Sequence, residues 1–401
     1  MLFTTRRHDL PSTLHCLPPE PEGVSAWLRR DEGIVCWGTA ASLRPTGRGR
    51  FVEAQHWWDD LVRSAMIDNT TKICDTGPFA LVKMAYADSS AESVLVVPQV
   101  TFGRSRGIGW IPTAGAPAPI LPERSPLLAP TGLHYRPGSI TSEQHRSAVA
   151  AAIALIQTGA LEKVVLGRDV IVRSSSFLDQ RWILARLAKL FPDCWVFALD
   201  GLLGASPELL LRLRRDRFTM LVLAGTSWPA VGTRGSGGPL TSAKNLREHA
   251  MAVESAVAAL APLSAWIDAP RTPSIMHLSN VMHLATRIQG RLATPSPSPL
   301  ALLERLHPTA AVCGTPRDAA QEAITALEKM DRGGYLGPVG WLDAYGNAEF
   351  AIALRCAQVS TTSARLFAGG GIVAGSTPEA EDAEVEAKLA AFQSALQPLG
   401  A

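Results

Sequence analysis

The sequence carries little net charge and has no long apolar run. Its 38 Lys and Arg residues nearly balance its 36 Asp and Glu residues, which leaves a formal charge of +2 over 401 positions. A balanced chain lacks the electrostatic field that draws proteins to nucleic acids or to acidic membrane surfaces. No segment approaches the roughly 20 consecutive apolar residues that a membrane-spanning helix needs. We therefore expect neither a nucleic-acid-binding protein nor a membrane protein.

Cysteine is also scarce, and its spacing predicts no metal site or redox motif. The first residues, Met1–Pro11, lack the apolar stretch of a secretory signal. Because 47% of the residues are hydrophobic, the chain can bury a large core without disulfides. These features predict reduced thiols, a cytoplasmic location and either one large domain or about two to three smaller ones. The six cysteines contain no CxxC pair and are Cys16, Cys36, Cys74, Cys194, Cys313 and Cys356.

Nucleotide-binding loops are missing as well. Neither GxxxxGKS/T nor GxGxxG follows a predicted strand, and the nearest glycine cluster, Gly369–Gly371, lacks the Lys of a phosphate loop. These glycines follow the apolar run Leu366–Ala368, so their amides form either an anion-binding nest or a plain tight turn. Nucleotide binding therefore has no motif to support it.

Short β-like runs and turn-forming residues dominate the sequence up to about residue 140, with one helix predicted near 54–66. A stretch rich in Pro, Ala and Gly at 113–137 predicts a long surface connection. Beyond it, Ser142 is placed to cap a helix that ends at Gly159. Closely spaced strands favour antiparallel pairing, and their grouping apart from helices favours an α+β fold. Further helices are predicted at 243–260, 318–330 and 378–396, and strands at 163–172, 195–199, 208–213, 218–223, 337–342, 348–353 and 364–367.

Acidic residues on two predicted helices are candidates for a metal site. Glu381, Glu384 and Lys388 share one stripe of the terminal helix, beside an apolar stripe. Glu248 lies on the helix that opens near Ser242. Two glutamates from separate helices suit Mg²⁺, which takes a few carboxylates together with water and an anionic ligand. The alternative is an ordinary exposed carboxylate at each position, with Glu384 and Lys388 as an i,i+4 pair.

A lysine and a glutamate at strand starts are candidates for acid–base catalysis. Lys163 and Glu208 lie in apolar surroundings, where burial lowers the pKa of a lysine and raises that of a glutamate. The alternative is a charge at a strand end that faces water. His283 and His307 are candidates for catalysis or for structural hydrogen bonds. Arg355 follows an apolar strand and suits either a bound carboxylate or an internal ion pair.

Together and in this order, these residues resemble the chorismate-utilising enzymes, a family that includes isochorismate, salicylate, anthranilate and aminodeoxychorismate synthases. The similarity covers about residues 145–396, and the first third fits only in outline, through Val94–Pro98 and Gly107–Trp110. The matching segments are Lys163–Arg168, Gly204–Leu210, Leu223–Thr226, Glu248–His249, His283–Thr286, Leu306–Thr309, Gly340–Trp341, Ile352–Cys356, Phe367–Val373 and Ser376–Leu389.

The resemblance implies one large α+β domain with two packed, mainly antiparallel sheets covered by helices, as in anthranilate synthase component I. Residues 1–140 would form the N-terminal part of that domain, and 141–401 the chorismate-binding catalytic portion. It also implies Mg²⁺ as cofactor and chorismate as substrate. Glu248 and Glu384 would hold the metal, with Glu381 as a water-mediated ligand, and the metal would bind the ring carboxylate.

Roles for the other matched residues follow from the same resemblance. Lys163 would be the base that deprotonates water, Glu208 the acid that protonates the departing C4 hydroxyl, and His283 would lie near the ring. Arg355, Tyr335 and the amides near Gly371 would bind the enolpyruvyl carboxylate, and Lys388 would help neutralise the metal end. The full set of implied substrate-binding residues is Gly225, Thr226, Ala311, Tyr335, Leu354, Arg355, Gly371 and Lys388.

Within the family, the residues favour an isochorismate synthase. Lys163 is typical of members that add water at C2, whereas anthranilate synthases typically carry Gln there, and Ala311 and Leu354 resemble the isomerases. The alternatives are a salicylate synthase, an aminodeoxychorismate or anthranilate synthase component, and a catalytically silent chorismate-binding protein. Ala250 and the loop 227–238 depart from some relatives, so menaquinone and siderophore pathways both stay open. Without a heptad pattern or an obvious apolar patch, a monomer is expected.

Overall fold

Twenty-one β-strands and seven α-helices make up the part of the chain that the computed structural model describes. The described residues are 1–10, 12–69, 77–114, 123, 125–227, 239–277 and 281–397. The helices are α1 (Arg50–Arg63), α2 (Ser142–Gln157), α3 (Gln180–Leu190), α4 (Ala243–Leu260), α5 (Pro299–Leu306), α6 (Arg317–Glu328) and α7 (Pro378–Leu396). Within these ranges, we find no helix with the length and apolar content needed to cross a bilayer.

The strands run through the whole described chain. They are β1 (Leu2–His8), β2 (Ser25–Arg29), β3 (Glu32–Leu43), β4 (Met66–Asn69), β5 (Phe79–Lys83), β6 (Val94–Ser105), β7 (Ile108–Ala114), β8 (His134–Pro137), β9 (Lys163–Arg173), β10 (Trp195–Leu199), β11 (Leu202–Ser206), β12 (Leu209–Arg214), β13 (Arg217–Ser227), β14 (Ser264–Asp268), β15 (Ser274–His277), β16 (Met282–Leu292), β17 (Gly314–Thr315), β18 (Pro338–Asp343), β19 (Ala348–Ile352), β20 (Cys356–Val359) and β21 (Ser363–Val373).

The strands pair into one network that branches at β6. This long strand pairs with β3 along one edge and with β5 and β7 along the other. One arm runs from β3 through β2, β10, β11, β20 and β21 to β9. The second arm runs from β5 through β18, β19, β12 and β13 to β16. Apart from the parallel pair β1–β4, the pairings among the described residues are antiparallel, which confirms the predicted α+β fold with mainly antiparallel sheets.

The two arms pack face to face and share one hydrophobic core. Trp27 and Trp195 of the first arm donate their indole N–H groups to Oε1 of Glu349 in the second, at 3.0 and 2.9 Å. Burial alone would raise the pKa of Glu349, but the Arg212 guanidinium and the hydrogen bond from Trp27 outweigh it and hold the pKa below its ordinary value. A buried carboxylate therefore connects the arms.

Helix α7 covers the outer face of the first arm. Its apolar stripe buries Val385, Leu389 and Phe392 against a cluster that includes Leu366 of β21 and Val172 of β9. Burial of a side chain of this size contributes about 1.5–3 kcal/mol relative to full exposure. The predicted apolar stripe of the terminal helix is thus confirmed, and it fixes the neighbouring acidic stripe close to the end of β21.

Several element boundaries match their predictions, and two local interpretations were wrong. The strand at 195–199 and the helices at 243–260 and 378–396 have the predicted bounds. The hydroxyl of Thr141, rather than that of Ser142, caps α2 by accepting the N–H of Gln144. Gly369–Gly371 form neither a nest nor a turn, because they continue β21 and pair with β9. Three predicted features lie wholly or mostly outside the described residues. They are Cys74, the loop 227–238 and the part of the predicted connection at 113–137 that precedes residue 125.

Candidate active site

A cleft with an empty volume of about 780 Å³ lies between the two arms, bordered by α4 and α7. The sequence-predicted residues that line the cleft are Glu208, Gly225, Thr226, Glu248, His283, Ala311, Tyr335, Leu354, Arg355, Gly371, Glu384 and Lys388. Two further predicted residues, Lys163 and Glu381, lie directly behind this lining rather than in it.

Glu208 places a buried carboxyl group at the wall of the cleft, just before β12. Its backbone N–H donates to the hydroxyl of Ser206, which fixes the chain at this point. Burial raises the pKa of Glu208 to about 8, although a backbone hydrogen bond at Leu223 and the charges of Lys163 and Lys388 act in the opposite direction. Near neutral pH the carboxyl group is therefore largely protonated and is able to donate a proton.

Lys163 is the first residue of β9, and its side chain is fully buried. Its Nζ lies 3.3 Å from Oε1 of Glu248 and has no hydrogen-bond partner among the described residues. Gly371 makes this arrangement possible, since a Cβ at that position would lie 2.2 Å from Oε1 of Glu248 and 3.0 Å from Cε of Lys163. Lys163 thus lies directly behind the cleft lining, to which Glu208 belongs.

Arg355 supplies a positive charge at another part of the cleft wall. The residue has a positive φ of 46° and is 8% exposed. Its Nη1 is buried without a partner in the described structure, while Nη2 lies 3.5 Å from Nε2 of His283. A buried guanidinium nitrogen without an acceptor is costly, so the site is suited to receive a carboxylate.

His283 and the residues around it are held in a neutral, ordered arrangement. Burial and the nearby Arg355 charge hold the pKa of His283 well below its usual range. Nδ1 of His283 lies 3.3 Å from the hydroxyl oxygen of Thr226. Tyr335 stacks on Phe367 with a centroid separation of 5.2 Å and is 2% exposed. Neutral His283 therefore lies beside Arg355, and Thr226 and Tyr335 line the same cleft.

The three candidate metal ligands each contact a lysine. The ion pairs are Glu248 with Lys163 at 3.3 Å, Glu381 with Lys244 at 2.7 Å and Glu384 with Lys388 at 2.6 Å. Within the described ranges, no group of three or more Asp, Glu, His or Cys side chains is close enough together to form a metal coordination sphere.

The donor set nevertheless fits a hard dication. A Cβ at Gly370 would lie 3.2 Å from Oε2 of Glu381 and 3.8 Å from Oε1 of Glu384, and the next residue, Gly371, borders Glu248. Three carboxylates therefore approach two adjacent glycines. Oxygen donors of this kind are the ligands that Mg²⁺ prefers.

Other histidines have structural roles, and one charged neighbour was missed. His307 Nε2 lies 2.8 Å from the carbonyl oxygen of Tyr86, and His249 Nε2 lies 2.7 Å from the hydroxyl of Thr286. Lys244, which contacts Glu381, was not predicted. Its position one turn before Glu248 on the same helix indicates a neighbour of that glutamate, but local spacing does not indicate its partner Glu381 on another helix.

Comparisons with known proteins identify relatives of this chain. A family model described as chorismate binding enzyme matches residues 124–397. The isochorismate synthase DhbC of Bacillus subtilis is 38% identical over 273 residues, which cover 64% of this chain and 68% of that protein. The salicylate biosynthesis isochorismate synthase of Pseudomonas aeruginosa is 32% identical over 409 residues, covering 93% of this chain and 85% of that protein.

A solved structure shows the same fold. The putative 2,3-dihydroxybenzoate-specific isochorismate synthase DhbC from Bacillus anthracis superposes with a TM-score of 0.78 at 30% identity, over 94% of this chain and 97% of that chain. The family model spans more than half of the present sequence, and the Pseudomonas relative matches along most of its length. The chain therefore belongs to the chorismate-binding enzyme family.

Proposed function

We propose that this protein is a Mg²⁺-dependent isochorismate synthase, which converts chorismate to isochorismate. The observation that carries the proposal is the combination, around one cleft, of the buried carboxyl group of Glu208, the buried side chain of Lys163 and a guanidinium nitrogen of Arg355 that lacks a hydrogen-bond partner among the described residues. Relatives over most of the chain are isochorismate synthases. The reaction needs an acid, a base and a carboxylate-binding group, and these three residues supply them.

The reaction is an isomerisation with balanced atoms. A water molecule forms a new bond to C2 of the ring, the two ring double bonds each shift by one position, and the bond between C4 and its hydroxyl oxygen breaks. Lys163 accepts a proton from the attacking water, and Glu208 donates a proton to the departing hydroxyl, which leaves as water. One water enters and one leaves, so no oxidant, reductant or organic cofactor is required.

Different residues would bind and orient the substrate at each of its two ends. Arg355 would pair with the enolpyruvyl carboxylate beside Tyr335, and neutral His283 would lie near the ring without adding charge. Glu248 and Glu384 would hold Mg²⁺, with Glu381 behind them. When bound, the ion supplies positive charge to neutralise the ring carboxylate. Lys388 would support the same end of the substrate.

A product assay tests this function directly. Purified protein with chorismate and MgCl₂ should form isochorismate, detected by proton NMR, without stoichiometric pyruvate and without ammonia. Prompt pyruvate and fluorescent salicylate would instead identify a salicylate synthase. Dependence on ammonia or a glutaminase would identify an amine-transferring synthase. Binding of chorismate without turnover at saturating Mg²⁺ would identify a silent binding protein.

Variants separate the chemical step from substrate binding in the same assay. We expect Lys163→Ala to abolish isomerisation while calorimetry still detects chorismate binding. A Lys163→Ala protein with near-normal rates would contradict the base assignment.

The cellular setting is part of the same proposal. The described cysteines, Cys16, Cys36, Cys194, Cys313 and Cys356, are all unpaired, and free buried thiols suit a reducing compartment. We therefore propose a cytoplasmic enzyme. Since the sequence has no heptad pattern and no obvious apolar patch, we also propose that it acts as a monomer. Its product would serve menaquinone or siderophore biosynthesis.

A further inference from the structure

Lys244 lies in the first turn of α4, which begins after the cap residue Ser242. Its Nζ donates to Oε1 of Glu381 at 2.7 Å, and this carboxylate is 3% exposed. The lysine itself remains 31% exposed at its side chain. A partly solvated ammonium on a long flexible stem therefore covers a buried carboxylate.

The charge of Lys244 interacts with the whole acidic cluster. Its ammonium group contacts Glu381, and the Glu381 and Glu384 carboxylates approach Gly370 while Glu248 borders the next residue, Gly371. The positive charge of Lys244 therefore lies near all three glutamates. A dication bound by those glutamates would be repelled by this ammonium.

The other two lysines of the cluster have different constraints. Lys163 is fully buried at the start of β9, and Lys388 donates to the carbonyl oxygen of Gly369 at 2.8 Å. Lys163 cannot leave without breaking a buried ion pair, and Lys388, which is 24% exposed at its side chain, would also lose its bond to the Gly369 carbonyl. Lys244 can move into solvent, because about a third of its side chain is already exposed.

We propose that Lys244 is an internal counter-cation, which holds Glu381 in place of a divalent ion and swings away when the ion binds. The inference rests on the proposed Mg²⁺ dependence and deepens it. In this role, Lys244 positions the buried carboxylate of Glu381 and lowers the affinity of the site for dications.

The experiment measures metal binding without substrate or turnover. Mn²⁺ would be titrated into the full-length protein at pH 8, with free Mn²⁺ followed by electron paramagnetic resonance. The variants are Lys244→Met, Lys244→Arg and Arg247→Met. Arg247 is the matched control, because it lies on the same helix, is exposed and pairs with the exposed Glu162.

We expect Lys244→Met to bind Mn²⁺ at least about tenfold more tightly than the wild type, since one nearby repelling charge is removed. This gain should shrink at high salt, because salt already screens the repulsion between the ammonium of Lys244 and Mn²⁺ in the wild type. Lys244→Arg should stay close to wild type, and Arg247→Met should change the affinity by less than about twofold.

Unchanged or weaker Mn²⁺ binding by Lys244→Met would overturn the inference and would indicate a purely structural contact. An equal gain in Arg247→Met would also overturn it, since the effect would then be one of general charge. A wild-type protein that binds no Mn²⁺ would do the same. The product assay is independent of these results, so a failure here leaves the isomerase function to be judged separately.

Discussion

A single buried carboxyl group, Glu208, determines how the proposed chemistry should respond to pH. Glu208 is 5% exposed, and burial raises the pKa of its carboxyl group to about 8. A general acid works only in its protonated form. The acid-dependent step should therefore be supported below pH 8 and lost as the pH rises through that value.

We predict that kcat/KM for chorismate falls above about pH 8 in the wild type. Glu208→Gln should lower turnover by roughly 10²- to 10⁴-fold, the usual contribution of acid catalysis, and should abolish the alkaline limb. Chorismate binding, measured by calorimetry, should persist because the amide has nearly the same shape. An unchanged pH profile in Glu208→Gln would show that another group donates the proton.

For single residues, the sequence indicated which side chains are candidates for catalysis, but it did not indicate which residues they contact. Lys163 and Glu208 stood out because charged residues are rare inside apolar strands. Lys244 did not, since a lysine in the first turn of a helix is ordinary until Glu381 of another helix is placed against it. The contact depends on two segments more than 130 residues apart, and no local pattern encodes it.

At the scale of elements, α7 presents its acidic stripe because Asp382 anchors the opposite side of the helix. The carboxylate of Asp382 accepts a hydrogen bond from the hydroxyl of Ser142 and lies 3.2 Å from Nδ1 of His145. It also contacts two guanidinium groups, those of Arg146 at 3.1 Å and Arg168 at 3.5 Å. Burial would raise the pKa of Asp382, but the Ser142 hydrogen bond and the Arg168 charge hold it below its ordinary value. The helix is thus fixed to α2 and β9 one residue beyond Glu381.

We predict that Asp382→Ala lowers the free energy of unfolding by about 3 kcal/mol, because buried Arg168 and His145 lose their shared acceptor. Urea denaturation measures this loss. The Mn²⁺ affinity of the folded protein should also fall, since Glu381 and Glu384 are no longer held in place. Glu379→Ala, an exposed change in the first turn of the same helix, is the control and should have little effect on either quantity.

Regular elements were predictable where a capping hydroxyl precedes a run of helix-forming residues, as in α4 and α7, and were harder to predict where glycines interrupt a strand. Gly369–Gly371 suggested a turn, yet β9 supplies an antiparallel partner for each of them, and pairing overrides the weak strand preference of glycine. Gly371 is needed in that strand for space, since the Glu248 carboxylate occupies the position where a Cβ would lie.

At the scale of the whole molecule, the cleft exists because two arms of one sheet network face each other. The family resemblance predicted two packed sheets, whereas nothing in the local sequence showed that the arms branch from β6. The connection between them also escaped prediction. Glu349 reads as an ordinary strand residue, but two indoles and Arg212 converge on its carboxylate from different strands.

The junction at Glu349 leads to a prediction about global stability. Glu349→Ala removes the acceptor for Trp27 and Trp195 and leaves the Arg212 charge without its partner. We expect a loss of about 3–5 kcal/mol in the free energy of unfolding. Glu349→Gln should lose less, because an amide oxygen still accepts from the indoles. Urea denaturation at pH 7 compares the three proteins.

The pH dependence of the same variants distinguishes a charged junction from a neutral one. The folded pKa of Glu349 lies below its ordinary value of 4.5, so the ionised carboxylate contributes stability that is fully present above pH 4.5. That contribution is lost as the pH falls through the folded pKa. The difference in stability between the wild type and Glu349→Gln should therefore shrink on acidification below pH 4.5. A difference that stays constant would show that the hydrogen bonds, and not the ion pair with Arg212, hold the two arms together.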